Sequence, residues 1–266
     1  MPILGTVSSG YYVLPVYSLA QTFDASGTFT VPAGKTQIAL VGVSAGGGGR
    51  NYEFFGAAGG GASGVAFVLK DVDTSAGTTY TVTIGAGGAA ASAGGSLTFG
   101  SVLTATGGGA GPAYGGSSPG GTASNTAGTL ETTSRSYGRG LYDSLPPNSS
   151  VSSADAALGS YSAGGGGGAG GLGGRWPQSG EGDTAIPPNN TWCPAASGGG
   201  NGGGGGTSTG PYAGTLGGAG STASVPGGGG GGAGHGGYGP NSYNPNPGAS
   251  VSGGQGFRGQ LLVYVR

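Results

Sequence analysis

"GGQGFRGQLLVYVR", residues 253–266, is the stretch on which the fold turns. It opens with glycines at 253, 254, 256 and 259, then alternates, with Leu261, Val263 and Val265 on one side and Leu262 and Tyr264 on the other. Alternation at period two marks a β-strand. A lone strand cannot bury two apolar faces. Earlier stretches with the same pattern lie before residue 111, so the closing strand is expected to return across residues 111–256 and pair with an N-terminal sheet. The glycine-rich region between them then reads as an insertion in an all-β domain.

Working outward, "TQIALVGVSA" (36–45) is β-rich on both faces, and "GVAFVLK" (64–70) is similar. "TTYTVTIG" (78–85) sets Tyr80, Val82 and Ile84 against threonines, and "SLTFGSVLTAT" (96–106) reads as a hairpin turning near Gly100 and Ser101. "QTFDASGTFTVPAGKT" (21–36) supplies two short strands and a Pro-Ala-Gly turn. No window carries a 3.6-residue apolar period, so almost no α-helix is expected. Following chain direction from strand to strand places every glycine run at one end of the sheet. The expected architecture is a small antiparallel β-sandwich foot (21–110 plus 257–266), a glycine-rich head (111–256) and an N-terminal docking arm (1–20).

Composition narrows the function. Glycine accounts for 72 of 266 residues and charged residues for 6%. Eight Lys and Arg against nine Asp and Glu give a net charge of -1, with no basic patch to neutralise a phosphate backbone, so nucleic acid is not an expected partner. The apolar start, residues 1–20, carries no Lys or Arg and is interrupted by Pro2, Gly5, Gly10 and Pro15, which argues against a signal peptide and against membrane insertion. It reads as a loose tail or, given Tyr11, Tyr12 and Tyr17, as an arm that docks on a larger assembly. Cys193 is the single cysteine and reads as a loop thiol.

Three structures compete for the glycine runs. A flexible linker is the default for such composition. Collagen requires glycine at every third position, a period that residues 164–168, 202–206 and 227–232 break. The third is a bundle of polyglycine-II helices, extended coils of three residues per turn whose amides are all free to bond neighbours. Stacking many such runs would give each interior backbone group a partner, so the expected head is a set of packed polyglycine-II helices.

"TFTVPAG", "GTTYTVTIGAGG", "GGSLTFGSVLTATGGG" and "GGQGFRGQLLVYVR", in that order, resemble the glycine-rich domain of bacteriophage tail and minor tail proteins, and "MPILGT" resembles the openings of phage virion proteins. The insertion is similar in style to the polyglycine-helix domains of tail-fibre adhesins, although a helical fibre-binding module is missing. The resemblance implies a virion location, attachment to other phage tail proteins through the arm and foot, a host surface protein or glycan as partner, and homo-oligomers, with a trimer as the expectation. A purely structural minor tail or decoration protein is the alternative. An ice-binding glycine-helix protein is a further one, disfavoured by the lack of tripeptide repeats and disulfides.

Between the glycine runs lie loops rich in Tyr, Trp, Ser and Asn, a composition shared with antibody recognition loops. The candidate receptor-binding residues are Tyr137, Arg139, Tyr142, Trp176, Trp192, Tyr212, Tyr238 and Tyr243; the plainer reading is that these rings cap the glycine lattice. Arg135, Arg139 and Arg175 lie beside aromatics and could pair with acidic sugars. An enzyme is not expected. His235 is the sole histidine and reads as a polar spacer, while Asp71 with Asp73 and Glu181 with Asp183 lack the ligand density of a calcium loop. No "GK[ST]" accompanies the glycines, so no phosphate loop, catalytic residue, metal or cofactor is expected.

Overall fold

A computed structural model describes residues 16–51, 58–112, 118–133, 150–152, 158, 160–162, 208–210, 213–214, 219–233 and 251–266. Among these the chain forms only strands, turns and irregular backbone. In chain order the strands are β1 (Ser18–Phe23), β2 (Gly27–Thr30), β3 (Gln37–Val43), β4 (Ala66–Asp73), β5 (Thr79–Thr83), β6 (Leu97–Phe99), β7 (Leu103–Ala105), β8 (Ala123–Asn125) and β9 (Thr129–Thr133). Then come β10 (Ser150–Ser152), β11 (Ser160–Ser162), β12 (Ser208–Gly210), β13 (Ala213–Gly214) and β14 (Gln260–Val265).

Two antiparallel five-stranded sheets carry the foot, ordered β1-β14-β3-β4-β9 and β2-β5-β6-β7-β8. Their inner faces share one core. Ile38, Leu40, Phe67, Leu69, Leu261 and Val263 come from the first sheet, and Phe29, Val82, Leu97, Phe99 and Leu103 from the second. The Phe99 ring stacks on Tyr80 at 4.6 Å between centroids and lies 6.1 Å from Phe29. The closing strand does return: β14 sits between β1 and β3, with Val263 opposite Gln21 on one side and Leu40 on the other.

In the first sheet, β3 and the first half of β4 are apolar on both faces and covered on both. Ala39, Val41, Val43, Ala66 and Val68 face outward yet are buried, in a second cluster with Tyr17 and Leu158. Paired β10 and β11 lie against this outer side, at β3 and β4. The sheets also extend past the residues whose alternation announces them. Edge strands β8 (Ala-Ser-Asn) and β9 (Thr-Leu-Glu-Thr-Thr) are short and mostly polar, and nothing in their pattern separates them from loop sequence.

Above the sandwich, tracts continuing from the strand ends bond to one another directly. Ser44 marks the change: fully buried, its hydroxyl donates to Thr106 O (2.7 Å) and accepts from Val65 N (2.9 Å). Beyond it, Gly46 N donates to Phe257 O and Gly49 N to Gly254 O, while Gly47 N donates to Ala62 O and Arg50 N to Gly59 O, all at 2.9 Å. Carbonyls of the same tract alternate likewise: Ala45 and Gly48 accept from Gly108 and Gly111, Gly46 and Gly49 from Gly88 and Ala91, Gly47 and Arg50 from Gly230 and Ala233. Each neighbour is revisited at every third residue. The return tract repeats the rule, since Ala58, Gly61 and Gly64 donate to Ala233, Gly230 and Gly227.

Close approach requires the missing side chains. A Cβ on Gly46, Gly47, Gly48 or Gly49 would fall inside van der Waals contact of a carbonyl oxygen, that of Gly228, Gly109, Ala89 or Gly231 respectively. Two sheets with side chains between them pack about 10 Å apart. Remove the side chains and the same two layers meet through backbone hydrogen bonds, as the bonds from the extension of β3 to those of β5, β6 and β7 demonstrate.

Candidate binding face at the distal end of the glycine lattice

The lattice gathers the stems of three loops. Residues 52–57 connect the tract ending at Asn51 to the one beginning at Ala58; residues 113–117 connect Pro112 to Ser118; residues 234–250 connect Ala233 to Val251. At the end remote from the sandwich, Ala58 N donates to Ala233 O (3.2 Å), Ala233 N to Arg50 O (3.1 Å) and Gly59 N to Pro112 O (3.1 Å). Asn51 Oδ1 accepts from Gly253 N at 3.0 Å, and the Ser118 hydroxyl donates to Ala110 O. Ala58 and Ala233 are buried together with Val251 packed on them, so a small apolar plug sits among the stems. Three connections far apart in sequence therefore start and finish within one hydrogen-bonded cluster.

Their sequences are "YEFFGA" (52–57), "AYGGS" (113–117) and "GHGGYGPNSYNPNPGAS" (234–250). Tyr238 and Tyr243, two of the candidate receptor residues, belong to the last of these; they lie outside the described residues, as do Tyr137, Arg139, Tyr142, Trp176, Trp192 and Tyr212. By sequence, Tyr137, Arg139 and Tyr142 fall between β9 and β10, Trp176 and Trp192 between β11 and β12, and Tyr212 between β12 and β13. Arg135, Arg175, Cys193, His235, Glu181 and Asp183 are likewise outside. Sequence reading passed over Tyr52, Phe54 and Phe55. The usable signal was three aromatics in a stretch flanked by glycine tracts, which becomes informative once those tracts are neighbours.

The other cluster of titratable side chains lies at the foot. Asp71 and Asp73 are at the end of β4, where the pairing with β3 carries a β-bulge: Ile38 opposes Val72 while Leu40 opposes Leu69, and Asp71 takes φ 59°. Its Oδ1 accepts from the Tyr17 hydroxyl (3.1 Å) and from Arg266 Nη2 (2.8 Å), and its N–H donates to Tyr17 Oη (3.0 Å). Arg266 lies 4.4 Å over the Tyr17 ring and donates through Nε to Gln37 Oε1 (2.6 Å), whose amide donates to Asp73 Oδ1 (2.7 Å). Burial first, with the adjacent Asp71 charge, raises the Tyr17 phenol above its ordinary 10.0. Both carboxylates thus engage protein donors, which tie the β1 end to β3, β4 and the closing strand. Among the described residues no group of three or more His, Cys, Asp or Glu is placed to hold a metal ion.

The chain belongs to a glycine-rich domain family: the model of that family, described as a glycine-rich domain, matches residues 21–266. A comparison with curated proteins found no match.

Proposed function

We propose that this member of the glycine-rich domain family is a non-enzymatic bacteriophage virion protein at a tail tip or tail fibre, whose glycine lattice displays aromatic loops to a host surface protein or glycan. The supporting observation is the convergence of three loop stems at the distal end of a lattice bonded with a three-residue period. A backbone that revisits each neighbour every third residue, with its bonds directed outward, has the symmetry of polyglycine II, and the tracts are read as such helices. Interior groups are paired, so the head is stiff without an apolar core of its own. Loops on a rigid scaffold lose less entropy on binding than loops on a mobile one.

In this reading Tyr238 and Tyr243, with Tyr52, Phe54, Phe55 and Tyr114 from the neighbouring loops, supply rigid contact area, and asparagine and serine supply adaptable hydrogen bonds. Tyr137, Arg139, Tyr142, Trp176, Trp192 and Tyr212 widen the contact. The arm and the exposed edge of β1 attach the foot to other tail proteins, as a trimer. The order of phage-like motifs along the sequence supports the virion assignment.

The test is gold labelling of intact particles with an antibody against the foot, together with adsorption by particles carrying Tyr238→Ala and Tyr243→Ala. Tail-tip labelling and an adsorption loss of about 30-fold, the equivalent of one ~2 kcal/mol hot spot, are expected. Tail labelling with unchanged adsorption would leave a purely structural tail protein. Particles without label would end the virion reading.

A further inference from the structure

Residues 251–266 close both parts of the molecule. In the sandwich, β14 hydrogen-bonds along β1 and along β3; Leu261, Val263 and Val265 enter the inner core, and Leu262 and Tyr264 pack on the outer face. In the lattice, Gly254, Phe257, Gly256 and Gly259 donate to Gly231 (2.7 Å), Gly228 (2.8 Å), Gly88 (2.9 Å) and Gly85 (3.1 Å). Its carbonyls receive Gly220, Gly49, Ala223 and Gly46. Taken away, the segment would leave one continuous slot, lined by backbone amides and carbonyls above and by apolar side chains below. Nothing covalent binds it there.

The connection leading into this segment is longer than closure requires. Ala233 and Val251 meet in one apolar cluster, and the tracts they end run antiparallel, with Phe257 opposite Gly228 and Gly254 opposite Gly231. A junction between adjacent antiparallel elements is ordinarily made in about two to six residues. Residues 234–250 supply seventeen, most of them glycine, proline and asparagine, a length of chain that reaches at most roughly 56–61 Å when fully extended. That is enough to hand the segment to an adjacent molecule.

We propose that residues 251–266 are an exchangeable donor segment: the slot accepts this segment from its own chain or from a second copy, and exchange links neighbouring copies of the protein. The ligand class is specific in two parts, a glycine tract bonding with a three-residue period followed by a strand with alternating apolar residues. Exchange conserves every contact, so the balance between the two states is set by concentration. A covalent tether holds its own segment at an effective concentration of the order of millimolar, and exchange becomes competitive as chain concentration approaches that value.

The experiment uses two full-length preparations, one ¹⁵N-labelled with a protease site replacing residues 239–245, the other unlabelled without it. They are unfolded, mixed, refolded between about 10 μM and about 1 mM, cleaved and examined by native mass spectrometry. The expected result is labelled 251–266 peptide bound to unlabelled bodies, in a fraction that rises with refolding concentration. Labelled peptide found only on labelled bodies at every concentration would overturn the proposal. A second preparation with the site at 244–250 guards against a replacement that blocks refolding; the same two outcomes decide.

Discussion

Substituting Gly48 by alanine tests the lattice at one of its most crowded points. Gly48 is buried, donates to Ser92 O at 2.9 Å and accepts from Gly111 N at 2.9 Å. The added Cβ would collide with the carbonyl of Ala89, and the 85–92 tract would have to retreat by on the order of 1 Å to restore contact distance. That retreat stretches three bonds beyond useful length: Gly88 to Gly46 (2.9 Å), Ala91 to Gly49 (2.8 Å) and Gly48 to Ser92 (2.9 Å). At about 1 kcal/mol each the loss is about 3 kcal/mol. Alanine's smaller unfolded-state entropy returns roughly 0.5–1 kcal/mol. The expected net destabilisation is about 2–2.5 kcal/mol, read as a urea midpoint shift and as a Tm lowered by about 4–10 °C. Ser92→Ala, an exposed change in the same layer, is the control and should stay within about 0.5 kcal/mol. A Gly48→Ala protein indistinguishable from wild type would refute close backbone packing as the source of the lattice's stability.

Alkaline titration should find the Tyr17 anchor. The phenol holds its proton more tightly folded than unfolded, so its contribution is fully present below pH 10 and is lost as pH rises through the raised folded value. Tyr17→Phe, which deletes both bonds to Asp71, should cost about 1–2 kcal/mol at neutral pH and flatten that alkaline limb in pH-dependent unfolding. Phe67→Ala, which empties a fully buried ring site of the inner core, should cost about 3–5 kcal/mol by denaturant titration. Glu131→Gln, which breaks the 2.6 Å pair with Lys70 between β9 and β4, should cost no more than about 1 kcal/mol, and added salt should shrink the difference.

The candidate site was only half legible. Aromatic loops set between glycine runs can be read from composition, and with them Tyr238 and Tyr243. Which loops share a face cannot, because that depends on which tracts are neighbours. Asn51, Ala58, Pro112, Ala233 and Val251 are distant in the chain and carry no motif; hydrogen bonds between their tracts bring them together. Asp71 and Asp73 show the same limit: the letters "KDVD" do not say where the two carboxylates point, and only the bulge in β4 turns Asp71 toward Tyr17 and Arg266.

By itself the sequence determined the all-β class, the return of the last strand to the N-terminal sheet and, for the described tracts, the position of the glycine runs at one end of the strands. Each follows from a local rule: alternation sets the strand, an apolar face demands burial, and chain direction fixes which end a turn occupies. Only the tertiary structure decided that β3 and β4 are covered on both faces, that β9 ends their sheet and β8 the other, and that glycine tracts from both sheets merge into one bonded lattice. A residue without a side chain has no pattern to read. Its partners are chosen by backbone geometry alone, and that geometry exists only once the neighbouring tracts have arrived.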